Sequence, residues 1–286
     1  MPSSFANRVT FALLIAILLS LTLRIPAQDA SVPTTTTSEI RLIVRGDDMG
    51  AAQSFNEGCI NAYKKGVVTS VEVIVNGPWF LDAVRLLKEN PKLDVGVHLT
   101  LTSEWDRMKW RPLTNAASLV DADGYFFPTT RAFTDAGPKL DEVEHELRAQ
   151  IDMARRLLGN RISHVSAHMG AAIATPELKA LTAKLAKEYK LRTGDDLKPA
   201  PAFGDSTKSS DQRESALEKV LEKLPPGDWL LVEHPGFDTP ETRALGHKGY
   251  ENVASDRSNV RRAFTSEAVL KVVKSRGIKL IGYNEL

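Results

Sequence analysis

The sequence predicts an α/β fold built on about seven mostly parallel strands. Three observations predict it. Apolar runs of roughly four to eight residues alternate with helical patterns along most of the chain. With 286 residues, 42% hydrophobic and 26% charged, the chain is long enough for one large core. Its acids and histidines collect at or near the ends of the apolar runs. Parallel sheets, closed into a barrel or left open, bind their ligands at the carboxyl ends of strands.

The N-terminal segment is different in kind. Arg8 precedes the apolar run "TFALLIAILLSLTL" (10–23), and "RIPAQDA" follows with small residues. This pattern reads as a secretory signal peptide over residues 1–30, cleaved after Ala27 or Ala30. The run is shorter than the ~20 residues of a spanning helix, so no stable membrane insertion is expected after cleavage. No cysteine follows the run to carry a lipid. The Thr-rich "SVPTTTTS" (31–38) reads as a polar spacer, which leaves residues 39–286 as one domain. The expected location is periplasmic or extracellular.

The elements follow in order. "IRLIV" (40–44) predicts a strand and 54–65 a helix. "VVTSVEVIV" (67–75) predicts the second strand, and "PWFLDAVRLLKEN" the next helix, with Pro78 in its first turn. "LDVGVHLTL" (93–101) is the third strand. Residues 102–138 then hold Trp105, Trp110, Pro112, Gly124, Pro128 and Gly137 without periodicity. A loop of that length in a compact domain suggests function. A helix over 139–158 restores the alternation, followed by the strand "ISHVSA" (162–167). Thr175 and Pro176 then cap and open another helix. A short strand near Leu191, a Pro/Gly/Ser-rich stretch (194–210), a helix (211–223) and the strand "WLLVEH" (229–234) come next. An irregular segment (235–263), a helix (266–275) and the strand "IKLIGY" end the chain.

Lys plus Arg (37) and Asp plus Glu (36) nearly cancel. There is no basic field for nucleic acid, and a small, weakly charged or neutral ligand fits better. The single cysteine, Cys59, lies in a helical pattern and has no disulfide partner, so it reads as a small buried residue.

Asp47 and Asp48 end the first strand. His98 lies in the third, His164 and His168 bracket the fourth, and His234 ends "WLLVEH". Taken singly, an Asp before Met-Gly is a common turn former and a histidine in "VGVHLTL" a common core residue. Together they point to a metal, because two adjacent carboxylates need a cation or hydrogen-bond donors to stay ionised. His145 and His247 read as surface residues. On a strand, His164 and His168 stand ~13 Å apart at ~3.3 Å per residue, too far to share an ion bound at ~2.1 Å. Either the chain turns before His168 or only one of them ligates. His168, nearer the carboxyl end, is the expected ligand, with His164 supporting it. One Asp with two His leaves coordination positions open, as in hydrolytic sites. One of the adjacent acids would then ligate and the other serve as base.

Five blocks carry a resemblance: "IVRGDDMG", "GVVTSVEVIVNG", "VGVHLTLTSEW", "SHVSAHMG" and "VEHPG". In this order the chain resembles the YdjC-like carbohydrate deacetylases, including the chitooligosaccharide deacetylase type, from about residue 40 to its end. The resemblance implies an irregular TIM-like (β/α) barrel and removal of an acetyl group from an N-acetylated sugar. It also implies a divalent metal ion, magnesium or zinc. Carried over by motif position, Asp48, His98 and His168 bind the metal, Asp47 is the base, and His234 is a candidate acid for the leaving amine. One departure stands out: the family usually has Asp where this chain has Ser166, between the two histidines of "HVSAH". Arg45-Gly46 before the acids is a second oddity.

Trp105 and Arg111, in the loop after His98, are candidate substrate contacts, since Trp faces stack on sugar rings and Arg binds hydroxyls. The tryptophans could equally pack the loop onto the barrel rim. The expected partner is a small-molecule or oligosaccharide substrate, and a homodimer is compatible with the sequence. Two other readings stay open: an esterase or amidase acting on another envelope glycan or lipid, and a non-catalytic secreted sugar-binding protein on the same fold.

Overall fold

The computed structural model describes residues 38–286. The expected signal peptide lies outside the described residues, as does the spacer apart from Ser38. Chain order is β1 (Ile40–Met49), α1 (Gln53–Lys65), β2 (Ser70–Val73), α2 (Phe80–Glu89), β3 (Asp94–Leu99), α3 (Thr130–Asp135) and α4 (Leu140–Leu158). There follow β4 (Ile162–Ala167), α5 (Pro176–Tyr189), β5 (Lys198–Pro199), α6 (Ser210–Lys223), β6 (Gly227–Glu233), α7 (Pro240–Arg243), α8 (Val253–Phe264), α9 (Glu267–Ser275) and β7 (Lys279–Leu280).

The strands form one sheet in the order β4-β3-β2-β1-β6-β5, with β7 paired to the first half of β1. Every named pairing is parallel. The sheet curls into an irregular, incompletely closed TIM-like barrel with helices outside. This is why β1, β2 and β3 are buried along nearly their whole length: parallel strands are covered on both faces. Among the described residues, no helix is long and apolar enough to cross a membrane.

Local chemistry sets the helix starts. Thr175 accepts from the Leu178 N–H with Pro176 in the first turn, and Ser209 with Gln212 closes a capping box on α6. Pro78 sits before α2 rather than in its first turn. The Trp79 N–H donates to the Gly50 carbonyl at 2.8 Å, tying this turn to the end of β1 and delaying the helix to Phe80.

Three other expectations need correction. Leu191 is not in a strand; Arg192 alone bridges to β4, and the short edge strand is Lys198–Pro199. Pro199 lacks an N–H, which suits an edge. The segment 235–263 is not irregular, since it contains α7 and α8. The loop 102–138 includes α3 and is held down by buried Trp105, Trp110, Leu119, Phe126 and Phe133.

Candidate active site

Side chains alternate across a strand, so the neighbours Asp47 and Asp48 would ordinarily point to opposite faces. The pairing of β1 with β2 instead shifts register between Gly46 and Met49, and Asp48 adopts φ 71°. Asp tolerates this left-handed conformation better than bulkier residues, at a cost on the order of 1–3 kcal/mol. The kink brings both carboxylates to the same imidazole. His98 Nε2 lies 3.8 Å from Asp47 Oδ2 and 3.5 Å from Asp48 Oδ1.

A second kink places His168. β4 ends at Ala167, and His168 opens a tight turn in which Met169 and Gly170 have φ of 51° and 70°. The chain therefore turns at His168, and its Nδ1 comes within 3.2 Å of Asp48 Oδ1. His164 stays in the strand. It does not support His168 as expected, because its Nε2 faces Glu72 Oε1 at 3.1 Å. Its ring stacks on Tyr283 with centroids 3.7 Å apart.

Asp48, His98 and His168 present ligand atoms within 4.8 Å of one another, and all three are buried. Each imidazole offers one nitrogen to this point and has the other beside a carboxylate. His98 Nδ1 is 2.7 Å from Glu72 Oε2, and His168 Nε2 is 2.9 Å from Glu104 Oε2. Metal-ligating histidines are characteristically oriented in this way. Asp48 Oδ1, aimed at both rings, is buried without a hydrogen-bond partner. The cluster holds four carboxylates, Asp47, Asp48, Glu72 and Glu104, against the guanidiniums of Arg45 and Arg257. With the imidazoles neutral, as cation binding requires, that leaves two uncompensated negative charges, a field that also favours a proton on His168. One carboxylate oxygen and two imidazole nitrogens in such a field fit a divalent cation.

The electrostatics agree. Burial alone would lower the pKa of His168, but Glu104 and Asp48 outweigh it and raise it to about 10. Burial would raise that of Asp48, but Arg257, bonded to Oδ2 at 2.7 Å, and then His168 hold it well below the usual carboxylate range. Asp47 is gripped differently: Arg45 donates Nε to Oδ1 at 2.8 Å and Nη2 to Oδ2 at 3.0 Å. This bidentate pair fixes the plane of the carboxylate.

The remaining expected residues fall around this cluster. His234 follows β6, half-exposed, with Nε2 4.0 Å from Asp48 Oδ2 and Nδ1 3.8 Å from Glu233. Trp105 is 2% exposed and lies between Arg257 and the ring of His247, so it packs the loop and offers no free face. His247 is accordingly a packing partner, whereas His145 is exposed. Arg111 is exposed, its Nε donating to the Gly124 carbonyl at 2.7 Å. Cys59 is free and buried, its thiol pushed up by burial and then by Asp47 and Asp48.

The model of the family described as "YdjC-like protein" matches residues 41–275. This chain belongs to the YdjC-like family. It is 27% identical over 262 residues to carbohydrate deacetylase 2 of Listeria innocua, covering 86% of this chain and 99% of that one. It is 33% identical over 227 residues to a carbohydrate deacetylase of Thermus thermophilus, covering 71% and 80%. A crystal structure of an Enterococcus faecalis protein described as a candidate for cellobiose-phosphate cleavage superposes with TM-score 0.74 at 27% identity, covering 87% and 99%.

In this YdjC-like chain, Glu72, Glu104 and Arg257 complete the cluster yet lie outside the expected set. Glu72 does have a sequence signal, being one acid inside the apolar run "VTSVEVIV". Arg257 sits in a segment that reads as irregular, although Val253, Val260 and Phe264 mark one helix face and Arg257 shares it. Glu104 has no signal beyond nearness to His98. Gly96 is the gap in β3 through which His164 meets Glu72: a Cβ there would lie 2.4 Å from His164 Nε2. Gly96→Ala should therefore lose about 1–3 kcal/mol, as overpacked cores do. Denaturant unfolding measures this, and an unchanged midpoint would show that the strands part freely.

Proposed function

We propose that this YdjC-like protein is a divalent-metal-dependent carbohydrate N-deacetylase that hydrolyses the acetamido group of an N-acetylated sugar or oligosaccharide. The observation that carries this reading is the convergence of Asp48, His98 and His168 on one point, with Asp47 beside it as a second carboxylate. The names of the relatives support the substrate class.

Asp48, His98 and His168 would hold magnesium or zinc, which when bound supplies Lewis-acid polarisation of the carbonyl and a lowered pKa for water. Asp47, fixed in orientation by Arg45, accepts the proton of the attacking water. His234, reachable from solvent and next to Asp48, donates a proton to the nitrogen as the C–N bond breaks, leaving acetate and a free amine. Arg257 keeps Asp48 ionised for its ligand role. Arg111, exposed on the loop after β3, contacts sugar hydroxyls. We further place the reaction outside the cytoplasm, on the apolar run at 10–23 behind Arg8.

Metal analysis joined to an acetate-release screen tests the reading. One equivalent of divalent metal and acetate release from N-acetylglucosamine oligomers are expected. Release from O-acetylated glycans alone would favour an esterase. Sugar binding by metal-free protein without turnover would sink the hydrolase. Sequencing the mature N-terminus of exported protein checks cleavage after Ala27 or Ala30.

A further inference from the structure

Ser166 stands where the resemblance gives the family an Asp, a change expected on sequence grounds to leave an active metal site with altered affinity or substrate. Ser166, in β4, lies directly across from His98 in β3, with its Oγ 2.7 Å from His98 Nδ1. The same Nδ1 lies 2.7 Å from Oε2 of Glu72, which comes from β2 on the other side of β3. Ser166 Oγ donates to that same Glu72 oxygen. One imidazole nitrogen, one hydroxyl and one carboxylate thus meet at a single point, and the carboxylate belongs to β2 rather than β4.

Glu72 is built for this place. It is 0% exposed, and an isolated buried carboxylate is prohibitive unless paired and hydrogen-bonded. Burial raises its pKa, but Arg45, then His98, outweigh burial and hold it far below the carboxylate range. Arg45 Nη1 is 3.7 Å from its Oε1, and His164 Nε2 is 3.1 Å from the same atom through the Gly96 gap. An acid amid the apolar residues of β2 has no packing purpose; its neighbours make it the acceptor for His98.

We propose that Glu72 is the positioning residue for His98, supplying from β2 the carboxylate that Ser166 lacks, with the Ser166 hydroxyl joining the two. By accepting the Nδ1–H it would fix the tautomer and ring plane that leave Nε2 free for the cation. Carboxylate partners of ligating histidines are typically worth ~10–100-fold in metal affinity. This rests on the deacetylase reading for its metal, but not on any particular substrate.

Titrating metal-free protein with Co2+ and Zn2+, and following the Co2+ absorption bands, tests it. Glu72→Gln should weaken binding ~10–100-fold and alter the Co2+ spectrum. Ser166→Ala, which removes a hydrogen bond to the Glu72 carboxylate but leaves that carboxylate beside His98, should weaken it less than Glu72→Gln does. The exchange Glu72→Ser with Ser166→Asp returns a carboxylate to His98 and should restore affinity and spectrum to near wild type. This exchange also decides the matter should Glu72→Gln not fold. Wild-type affinity in Glu72→Gln, or a folded exchange variant that binds as weakly as Glu72→Gln, overturns the assignment. If wild-type protein binds neither ion, the metal-dependent reading itself fails.

Discussion

Asp48→Ala is expected to purify without stoichiometric divalent metal and to melt well below wild type. Two consequences of one deletion add. The ligand oxygen facing His98 and His168 disappears, leaving only two imidazoles, and the buried Arg257 guanidinium loses the carboxylate bonded to its Nη2 at 2.7 Å. Breaking a buried ion pair from one side typically costs ~3–5 kcal/mol, because the remaining charge is uncompensated. In a domain of this size that corresponds to roughly 6–20 °C in Tm. Ala at φ 71° adds strain of the same sign. Elemental analysis and a thermal melt of metal-free protein separate the two effects: the melt reports the Arg257 pair and the elemental analysis the ligand. One equivalent of bound metal in the variant would remove Asp48 from the ligand set.

Asp47→Asn should do the reverse, keeping the metal and losing turnover. The amide is nearly isosteric, and Arg45 retains an oxygen to donate to. Arg45 also keeps Glu72 at 3.7 Å and its hydrogen bond to Tyr283, so the variant is expected to fold with a lowered Tm and with the Asp48, His98 and His168 atoms in place. What is lost is an acceptor basic enough for the proton of water, and general bases are worth ~10²–10⁴-fold. The reading is kcat for acetate release at saturating metal, alongside metal content. Full activity in Asp47→Asn would transfer the base role to another group, and loss of metal would mean that the two neighbours have exchanged roles.

The legible part of this protein is the part written in local patterns. Apolar runs separated by helical periodicity predict the parallel sheet, and Thr175-Pro176 marks the start of α5 where the structure has it. Segments without local periodicity are harder to read. α8 carries mostly polar residues, with only a thin apolar row, and its Arg257 shows its purpose only opposite Asp48. Trp105 shows the same limit, since exposure in a loop and burial against Arg257 have one spelling in sequence.

The sequence by itself determined the alternation of the main strands with α1, α2, α4, α5, α6 and α9, and the placement of two acids and four histidines on or beside strands, because both follow from side-chain type and spacing along the chain. The tertiary structure alone distinguishes the surroundings of the two acids. Asp47 has both oxygens bound by Arg45, whereas Asp48 keeps one bare oxygen aimed at His98 and His168. It also brings Glu72, 94 residues earlier in the chain, against Ser166 and His98. Both depend on backbone kinks and cross-strand neighbours, and a residue's neighbours across a sheet are set by folding rather than by adjacency along the chain.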